Sequence, residues 1–154
     1  MPKVDLSAQP HVARTSYPPP HDAPVAGRLQ RRFAAEAGLT LMGASHVILQ
    51  PGAWSSQRHW HRLADELVIM LQGEAVLVED AAGEQGGETV LRAGDIAAFP
   101  RGVENGHHLQ NRSDAPCVFV AISAGDEGDS GGYPDIDLLF GPEGFTRRDG
   151  ARFA

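Results

Sequence analysis

The sequence has few of the residues that would place the protein in an oxidising compartment, in a membrane or on a nucleic acid. Cys117 is the only cysteine among 154 residues, so an intrachain disulfide is excluded and a reducing compartment is favoured. Lysine and arginine number 13 against 20 aspartates and glutamates, and the net charge of -7 repels nucleic-acid backbones and anionic membranes. No apolar run approaches the roughly 20 residues of a membrane span, and the N-terminus lacks the apolar core of a secretion signal. We therefore predict a cytoplasmic protein with no nucleic-acid or membrane partner.

Proline is concentrated at the N-terminus. Six of the 11 prolines lie within residues 1–24, where they prevent both strand pairing and helix formation. We predict an extended Pro-rich arm over residues 1–27, either disordered or docked across a partner subunit, followed by one domain over residues 28–154. Arg28, Arg31 and Arg32 predict a solvated basic patch rather than a binding site, and the Ala-rich stretch of RLQRRFAAEAG predicts a short helical turn or two.

Short apolar runs alternate with turn residues from residue 39 onward. Segments such as LTLMGASHVIL, ELVIML, VLVED and PCVFVAIS are separated by clusters rich in glycine, proline and aspartate. This alternation of short apolar segments with turn residues predicts an all-β antiparallel barrel or sandwich. The absence of an internal repeat predicts one barrel rather than two. Gln72 and Gly73 predict a hairpin turn after the strand ELVIML.

Three histidines and a glutamate have the spacing of a metal site. His59 and His61 are two residues apart, so in a strand both side chains leave the same face. Glu66 opens the next strand, where Asp65 is an alternative ligand of opposite strand parity. His107 supplies a fourth ligand from the second half of the chain. Imidazole and carboxylate ligands without cysteine suit one divalent Fe, Mn, Ni, Zn, Co or Cu ion and make a structural zinc site less suitable.

These residues resemble the two sequence motifs of the cupin superfamily, G-x5-H-x-H-x(3,4)-E-x6-G and G-x5-P-x-G-x2-H-x3-N. The matching positions are Gly52, His59, His61, Glu66 and Gly73 in residues 52–73, and Gly94, Pro100, Gly102, His107 and Asn111 in residues 94–111. Six residues rather than five separate Gly52 from His59, and four rather than two separate Gly102 from His107. The longer second loop makes His108 a rival ligand, although the intact H-x3-N ending favours His107. The resemblance implies a jelly-roll barrel, also called a double-stranded β-helix. The segments WSSQRHWH, NGHHLQNRSD and YPDID further resemble a branch of small single-domain bacterial cupins that generally have no assigned activity.

Strand parity extends the prediction to the surroundings of the metal. If Glu66 faces inward, the pocket is also lined by Gln57, Met70 and Gln72. The opposite face of the same strand is equally apolar, and we predict that a second subunit covers it in a homodimer. The alternative is a single protomer whose own N-terminal arm covers that face.

The function predicted from these features is a metal-dependent enzyme acting on a small oxygen-rich metabolite, of the dioxygenase, isomerase or lyase type. The alternative is a cupin that binds or senses a small ligand without turning it over. No attached output domain is recognisable in the sequence, so a sensor would need a separate partner.

Overall fold

The computed structural model describes residues 3–8, 10–80 and 87–153, which contain twelve strands and two short 3₁₀ turns. The turns are Leu6–Ala8 and Ala23–Val25. The strands are β1 Arg28–Arg32, β2 Gly43–Leu49, β3 Trp60–His61, β4 Ala64–Gln72, β5 Glu74–Val78, β6 Glu88–Arg92, β7 Ile96–Phe99, β8 His108–Gln110, β9 Cys117–Gly125, β10 Gly131–Gly132, β11 Leu139–Gly141 and β12 Gly144–Thr146. None of the described residues forms a helix long and apolar enough to cross a bilayer.

The strands form three antiparallel sheets, and this confirms the all-β barrel predicted from the sequence. A five-stranded sheet has the order β1-β2-β9-β4-β7, a four-stranded sheet has the order β12-β11-β10-β3, and a three-stranded sheet has the order β6-β5-β8. Strands that are distant in sequence pair side by side, with β2 and β4 flanking β9. The chain therefore crosses repeatedly between sheets, as in a jelly roll.

The predicted hairpin at Gln72 and Gly73 is wrong. Only Gly73 separates β4 from β5, yet β4 belongs to the five-stranded sheet and β5 to the three-stranded sheet. Both edges of β4 already pair, with β7 and with β9, so β5 has no free edge to join. Gly73 has a φ of 72°, a backbone conformation that glycine adopts without strain, and here it carries the chain from one sheet to the next.

The arginine-rich part of RLQRRFAAEAG forms an edge strand, and the Ala-rich part that follows it forms the predicted short turn over residues 34–38, where the Ala37 N–H donates a 2.9 Å hydrogen bond to the Phe33 carbonyl. β1 pairs with β2 from Arg28 opposite Leu49 to Arg32 opposite Ser45. Alternation along β1 turns Arg28 and Arg32 toward the same side of the sheet, with Gln30 between them.

The described part of the N-terminal segment packs against its own chain; residues 1, 2 and 9 of the predicted arm lie outside the described residues. Val12 pairs with Gln30 through two backbone hydrogen bonds of 2.9 and 3.0 Å. The Gln57 side chain donates a hydrogen bond of 2.8 Å to the His21 carbonyl. Tyr17 stacks on Phe145 with ring centroids 5.6 Å apart. These contacts cover one side of the barrel with residues from its own N-terminus.

The apolar core lies between the sheets and adjoins the site described below. Its members are contributed by β2, β4, β5, β6, β8 and β9 and by one loop residue, and they are Val47, Leu49, Ala53, Val68, Met70, Ala75, Leu77, Leu91, Leu109, Cys117 and Phe119. Cys117 is fully buried among them, so the single thiol is a packing residue.

Candidate metal centre

The backbone brings the separate motif residues together. His59 and His107 face each other in an isolated antiparallel bridge, with N–H to carbonyl distances of 3.2 and 2.9 Å. His61 lies in β3, two residues beyond His59, and Glu66 lies in β4. The bridge therefore joins the two motifs directly, although His107 lies 48 positions after His59 in the sequence.

The three predicted histidine ligands converge on one carboxylate oxygen of the fourth, Glu66. The Nε2 atoms of His59, His61 and His107 lie 3.7, 3.5 and 3.0 Å from Oε2 of Glu66. His59, His61 and Glu66 form a set whose ligand atoms all lie within 4.8 Å of one another. His107 joins this set through its hydrogen-bonding contact with Glu66, and its ring stacks on Phe99 at 3.6 Å.

The opposite nitrogen of each imidazole is held by an oxygen acceptor. The Nδ1 atom of His59 lies 3.0 Å from the Gln57 carbonyl. The Nδ1 atom of His107 lies 3.2 Å from the Asn105 carbonyl. The Nδ1 atom of His61 lies 2.5 Å from a carboxylate oxygen of Asp129. An Nδ1–H that donates to these acceptors leaves the Nε2 lone pair free, which is how proteins orient histidine as a metal ligand.

The unsatisfied atoms of the site fit a cation. Nε2 of His61 is buried and has no hydrogen-bond partner. Both ring nitrogens of His107 face oxygen acceptors, Asn105 O and Glu66 Oε2, yet a neutral imidazole has only one N–H to donate. A cation among the Nε2 atoms and the carboxylate would satisfy all of these groups. Three nitrogens and one carboxylate oxygen suit a borderline divalent ion, and several first-row metals meet that description.

The protonation states also suit a metal. Burial lowers the pKa of His59 to about 4, so its imidazole is neutral near pH 7. For Glu66, burial favours the neutral acid, but the His107 hydrogen bond and the neighbouring imidazoles outweigh it and lower the pKa to about 2. Neutral imidazole and ionised carboxylate are the forms that coordinate a metal.

The two rival ligands point elsewhere. The Nδ1 atom of His108 lies 2.9 Å from the Ser56 carbonyl, and the Gln110 amide lies 2.9 Å from its Nε2 atom. Asp65 is exposed, and its carboxylate accepts a 2.9 Å hydrogen bond from the backbone N–H of Arg101. Both residues are thus bound to other groups, and neither contacts the cluster of Nε2 atoms.

A cavity of about 230 Å³ opens beside the cluster. Three of the four predicted ligands line it, and its other walls combine aromatic, apolar and polar side chains. These residues are Tyr17, Arg28, Gln30, Ser45, Val47, Ser55, Ser56, His59, Glu66, Leu67, Val68, Phe99, His107, His108, Leu109, Phe119, Ala121 and Ile122. His61 lines a smaller cavity of about 40 Å³, which shares Glu66, Phe99 and His107 with the larger one.

The structure places none of the three predicted pocket residues on these cavity walls. Gln57 is buried, but its amide donates to the His21 carbonyl. Met70 is 1% exposed within the apolar core, and Gln72 is exposed. A shift of strand register between Met70 and Gln72 interrupts the alternation on which the prediction relied.

Three residues near the cluster were not predicted from the sequence: Tyr17, Arg28 and Asp129. Asp129 is 68 residues from His61, in a loop rich in glycine and aspartate where no single acid stands out. Tyr17 and Arg28 reach the cavity only because the N-terminal segment and β1 pack beside it. Burial raises the pKa of Tyr17, so its hydroxyl keeps its proton near neutral pH.

Comparisons with known proteins agree with this architecture. A family model described as a cupin domain matches residues 45–123. A solved structure named a sugar phosphate isomerase of the cupin superfamily, from Silicibacter pomeroyi, is 37% identical with a TM-score of 0.89, covering 99% of this chain and 97% of that one. A second structure, from Acidithiobacillus ferrooxidans, is 21% identical with a TM-score of 0.69 over 82% of this chain and 80% of that one, and it shows the fold alone.

A curated enzyme also matches part of the chain. Oxalate decarboxylase OxdC of Bacillus subtilis is 29% identical over 92 residues, which are 60% of this chain and 22% of that enzyme. The chain thus spans about a fifth of the length of this relative.

Proposed function

This chain belongs to the cupin superfamily, and on that premise we propose that it is a metal-dependent enzyme of the isomerase type that acts on a sugar phosphate. The observation that carries the proposal is the convergence of three Nε2 atoms on one oxygen of Glu66, at the wall of a cavity large enough for a small metabolite. The resemblance to the Silicibacter pomeroyi protein, which extends over nearly the whole chain, supports the choice of reaction and substrate class.

His59, His61, Glu66 and His107 would hold one divalent ion, taken from Fe, Mn, Ni, Zn, Co and Cu. When bound, such an ion supplies a Lewis acid that polarises a carbonyl or hydroxyl oxygen of the substrate. The protein contributes the fixed ligand geometry, because the partners of the three Nδ1 atoms hold each imidazole ring in place.

Side chains around the ligands would orient the substrate. The protonated hydroxyl of Tyr17 lines the cavity and can donate a hydrogen bond to a substrate oxygen. Apolar walls such as Val47, Leu109 and Phe119 limit access of water and strengthen polar contacts within the cavity. A hydroxy-carbonyl compound would thus meet polar groups at its oxygens and apolar walls along its carbon chain.

A second candidate is a protein that binds the same ligand without turning it over. It is favoured by one observation: among the described residues, Glu66 is the only carboxylate on the wall of the larger cavity, and no lysine lines it. An isomerase that moves a proton between carbons needs a group to carry that proton, and Glu66 is also a proposed ligand. The two candidates therefore differ in turnover rather than in the ligand.

The test begins with apo-protein reloaded separately with each of the six candidate ions. Ribose 5-phosphate serves as the probe, and NMR follows conversion of the aldose to the ketose. We expect conversion only with metal present, loss of conversion in His61→Ala, and retention in His21→Ala, a histidine outside the site. Parallel assays measure dioxygen uptake with Fe(II) and release of carbon dioxide from oxalate.

Each outcome selects one function. Dioxygen uptake would replace the isomerase with a dioxygenase, and decarboxylation of oxalate would replace it with a lyase. A rise in melting temperature with sugar phosphates but no product would establish the binding protein instead.

A further inference from the structure

Four arginines that form no ion pair among the described residues gather beside the metal cavity. Arg14, Arg28, Arg31 and Arg32 line a cleft of about 510 Å³ between the N-terminal segment and β1. Five of the other eight arginines form ion pairs within the described residues, namely Arg58, Arg92, Arg112, Arg147 and Arg152, whereas none of these four does. Such a concentration of unpaired positive charge is unusual in a chain of net charge -7, and it makes this cleft attractive to anions.

Arg28 is the one arginine of the four that lines both the cleft and the metal cavity. It is half-buried, and its only side-chain hydrogen bond among the described residues runs from Nη1 to the Ser55 carbonyl, at 2.5 Å. Burial lowers the pKa of Arg28, yet a guanidinium remains charged at neutral pH. A guanidinium has five N–H donors, so most of those of Arg28 remain free for a ligand. A buried charge left without a counter-ion is costly, and an oxyanion would remove that cost.

The cleft and the metal cavity adjoin. Arg28 and Gln30 line both of them, while Glu66 and His59 line the metal cavity. Arg28, Gln30 and Arg32 occupy every second position of β1, so their side chains lie on the same face of the strand. They form a row that leads from the metal cavity into the cleft. One ligand can therefore place an anionic end on the arginines and its other end at the metal ligands.

The polar lining of the cleft suits a phosphate group. Thr15 and Ser16 add hydroxyl donors to the arginines, and Glu36 is the only carboxylate on the described wall. A phosphate monoester presents three terminal oxygens and about two negative charges, and it is matched by several forked guanidinium groups. A single carboxylate carries one charge and two oxygens, so it would leave most of these donors unused.

We propose that Arg28, together with Arg14 and Arg32 in the adjoining cleft, binds the phosphate group of a phosphorylated substrate whose hydroxy-carbonyl end lies at the metal ligands. This inference rests on the proposed function, since it assigns the phosphate-binding part of the same site. It also changes the interpretation of Arg28 and Arg32, which the sequence alone predicts to be part of a solvated basic patch.

The experiment measures binding by titration calorimetry on the metal-loaded full chain. The probes are inorganic phosphate, ribose 5-phosphate, unphosphorylated ribose and glycolate, the last as a carboxylate of similar size. The variants are Arg28→Gln, Arg28→Lys and Arg32→Gln. Arg92→Gln is the matched control, because it removes the same charge from an exposed arginine on another strand. Metal content and melting temperature are measured for every variant.

We expect ribose 5-phosphate to bind more tightly than ribose or glycolate. Arg28→Gln should raise its Kd by at least about tenfold, as loss of a charged hydrogen bond implies. Arg28→Lys and Arg32→Gln should have smaller effects of the same sign, and Arg92→Gln should leave the Kd unchanged. Because Arg28→Lys keeps the positive charge and Arg32 is exposed, these variants test the site even if Arg28→Gln fails to fold.

Three results would overturn the inference: equal Kd values for ribose and its phosphate, a tighter Kd for glycolate, or a Kd that none of the Arg28 and Arg32 variants changes. Its failure is separable from failure of the proposed function. Isomerisation that is indifferent to Arg28 would remove the phosphate site and keep the enzyme. Arginine-dependent phosphate binding without isomerisation would keep the phosphate site and remove the enzyme.

Discussion

Replacing Asp129 with asparagine should weaken metal binding without removing a proposed ligand. The Asp129 carboxylate has two contacts: Oδ2 lies 2.5 Å from Nδ1 of His61, and Oδ1 accepts a 2.8 Å hydrogen bond from the backbone of Leu63. A carboxylate can only accept hydrogen bonds when ionised, so it keeps the imidazole proton on Nδ1 and leaves Nε2 free. An asparagine amide can donate to Nδ1 instead, which would move the imidazole proton to Nε2, where it blocks coordination.

The size of this effect follows from the behaviour of similar contacts. Loss of a partner that orients a metal ligand typically costs 10- to 100-fold in metal affinity, or about 1.4 to 2.7 kcal/mol. Competition with a coloured chelator measures the Kd for Zn²⁺ or Mn²⁺ in the wild type and in Asp129→Asn. Asp126→Asn is the matched control, because Asp126 lies in the same loop and its carboxylate accepts a hydrogen bond from Gly128.

Asp129→Asn should bind the metal at least about tenfold more weakly, with Asp126→Asn close to the wild type. An unchanged Kd in Asp129→Asn would refute the reasoning, and so would an equal loss in both variants, because the effect would then be a general one of loop charge.

Three further predictions concern the core and the surface. Cys117 is fully buried and burial raises its thiol pKa, so Ellman's reagent should label no thiol in the native protein and one per chain in denaturant; rapid native labelling would contradict the core assignment. Met70 is buried and Gln72 is exposed, so in urea titrations Met70→Ala should lower the free energy of unfolding by about 2 to 5 kcal/mol, and Gln72→Ala should change it by less than about 0.5 kcal/mol. Equal effects of the two substitutions would contradict this difference in burial. The protein should be a homodimer by light scattering, and Ile96→Arg should shift it toward monomer. Ile96 is a 62% exposed apolar residue on β7, at the edge of the five-stranded sheet. A monomeric wild type would contradict this prediction.

The parts of the site that were predictable from the sequence are those set by local geometry. His59 and His61 share a strand-like spacing, and Glu66 follows at a position whose parity brings it to the same cluster. His107 could be preferred to His108 because of its spacing to Asn111. Asn111 is buried, and its amide donates hydrogen bonds of 2.9 and 2.8 Å to the carbonyls of Leu49 and Ala115. That residue thus fixes the loop that follows the histidine pair.

The parts that were not predictable depend on packing between distant segments. Asp129 and Tyr17 meet the cluster only after the C-terminal loops and the N-terminal segment have docked on the barrel. The prediction of a hairpin at Gly73 failed for a related reason. A tight turn does not reveal whether the strand that follows can pair with the strand that precedes it, and here β7 and β9 already occupy both edges of β4. The position of Arg28 beside the cavity was not predictable either, because the burial of side chains on an edge strand depends on which segments pack beside that strand.

The most direct measurement is the metal content of the reloaded protein and of three histidine variants, by elemental analysis after removal of loosely bound ions. The wild type should hold one divalent ion per chain, His61→Ala and His107→Ala should lose it, and His108→Ala should retain it, because His108 bonds to Ser56 and Gln110 instead. A wild type that binds no divalent ion, or a variant series in which His108→Ala loses the ion and His107→Ala keeps it, would contradict the central claim.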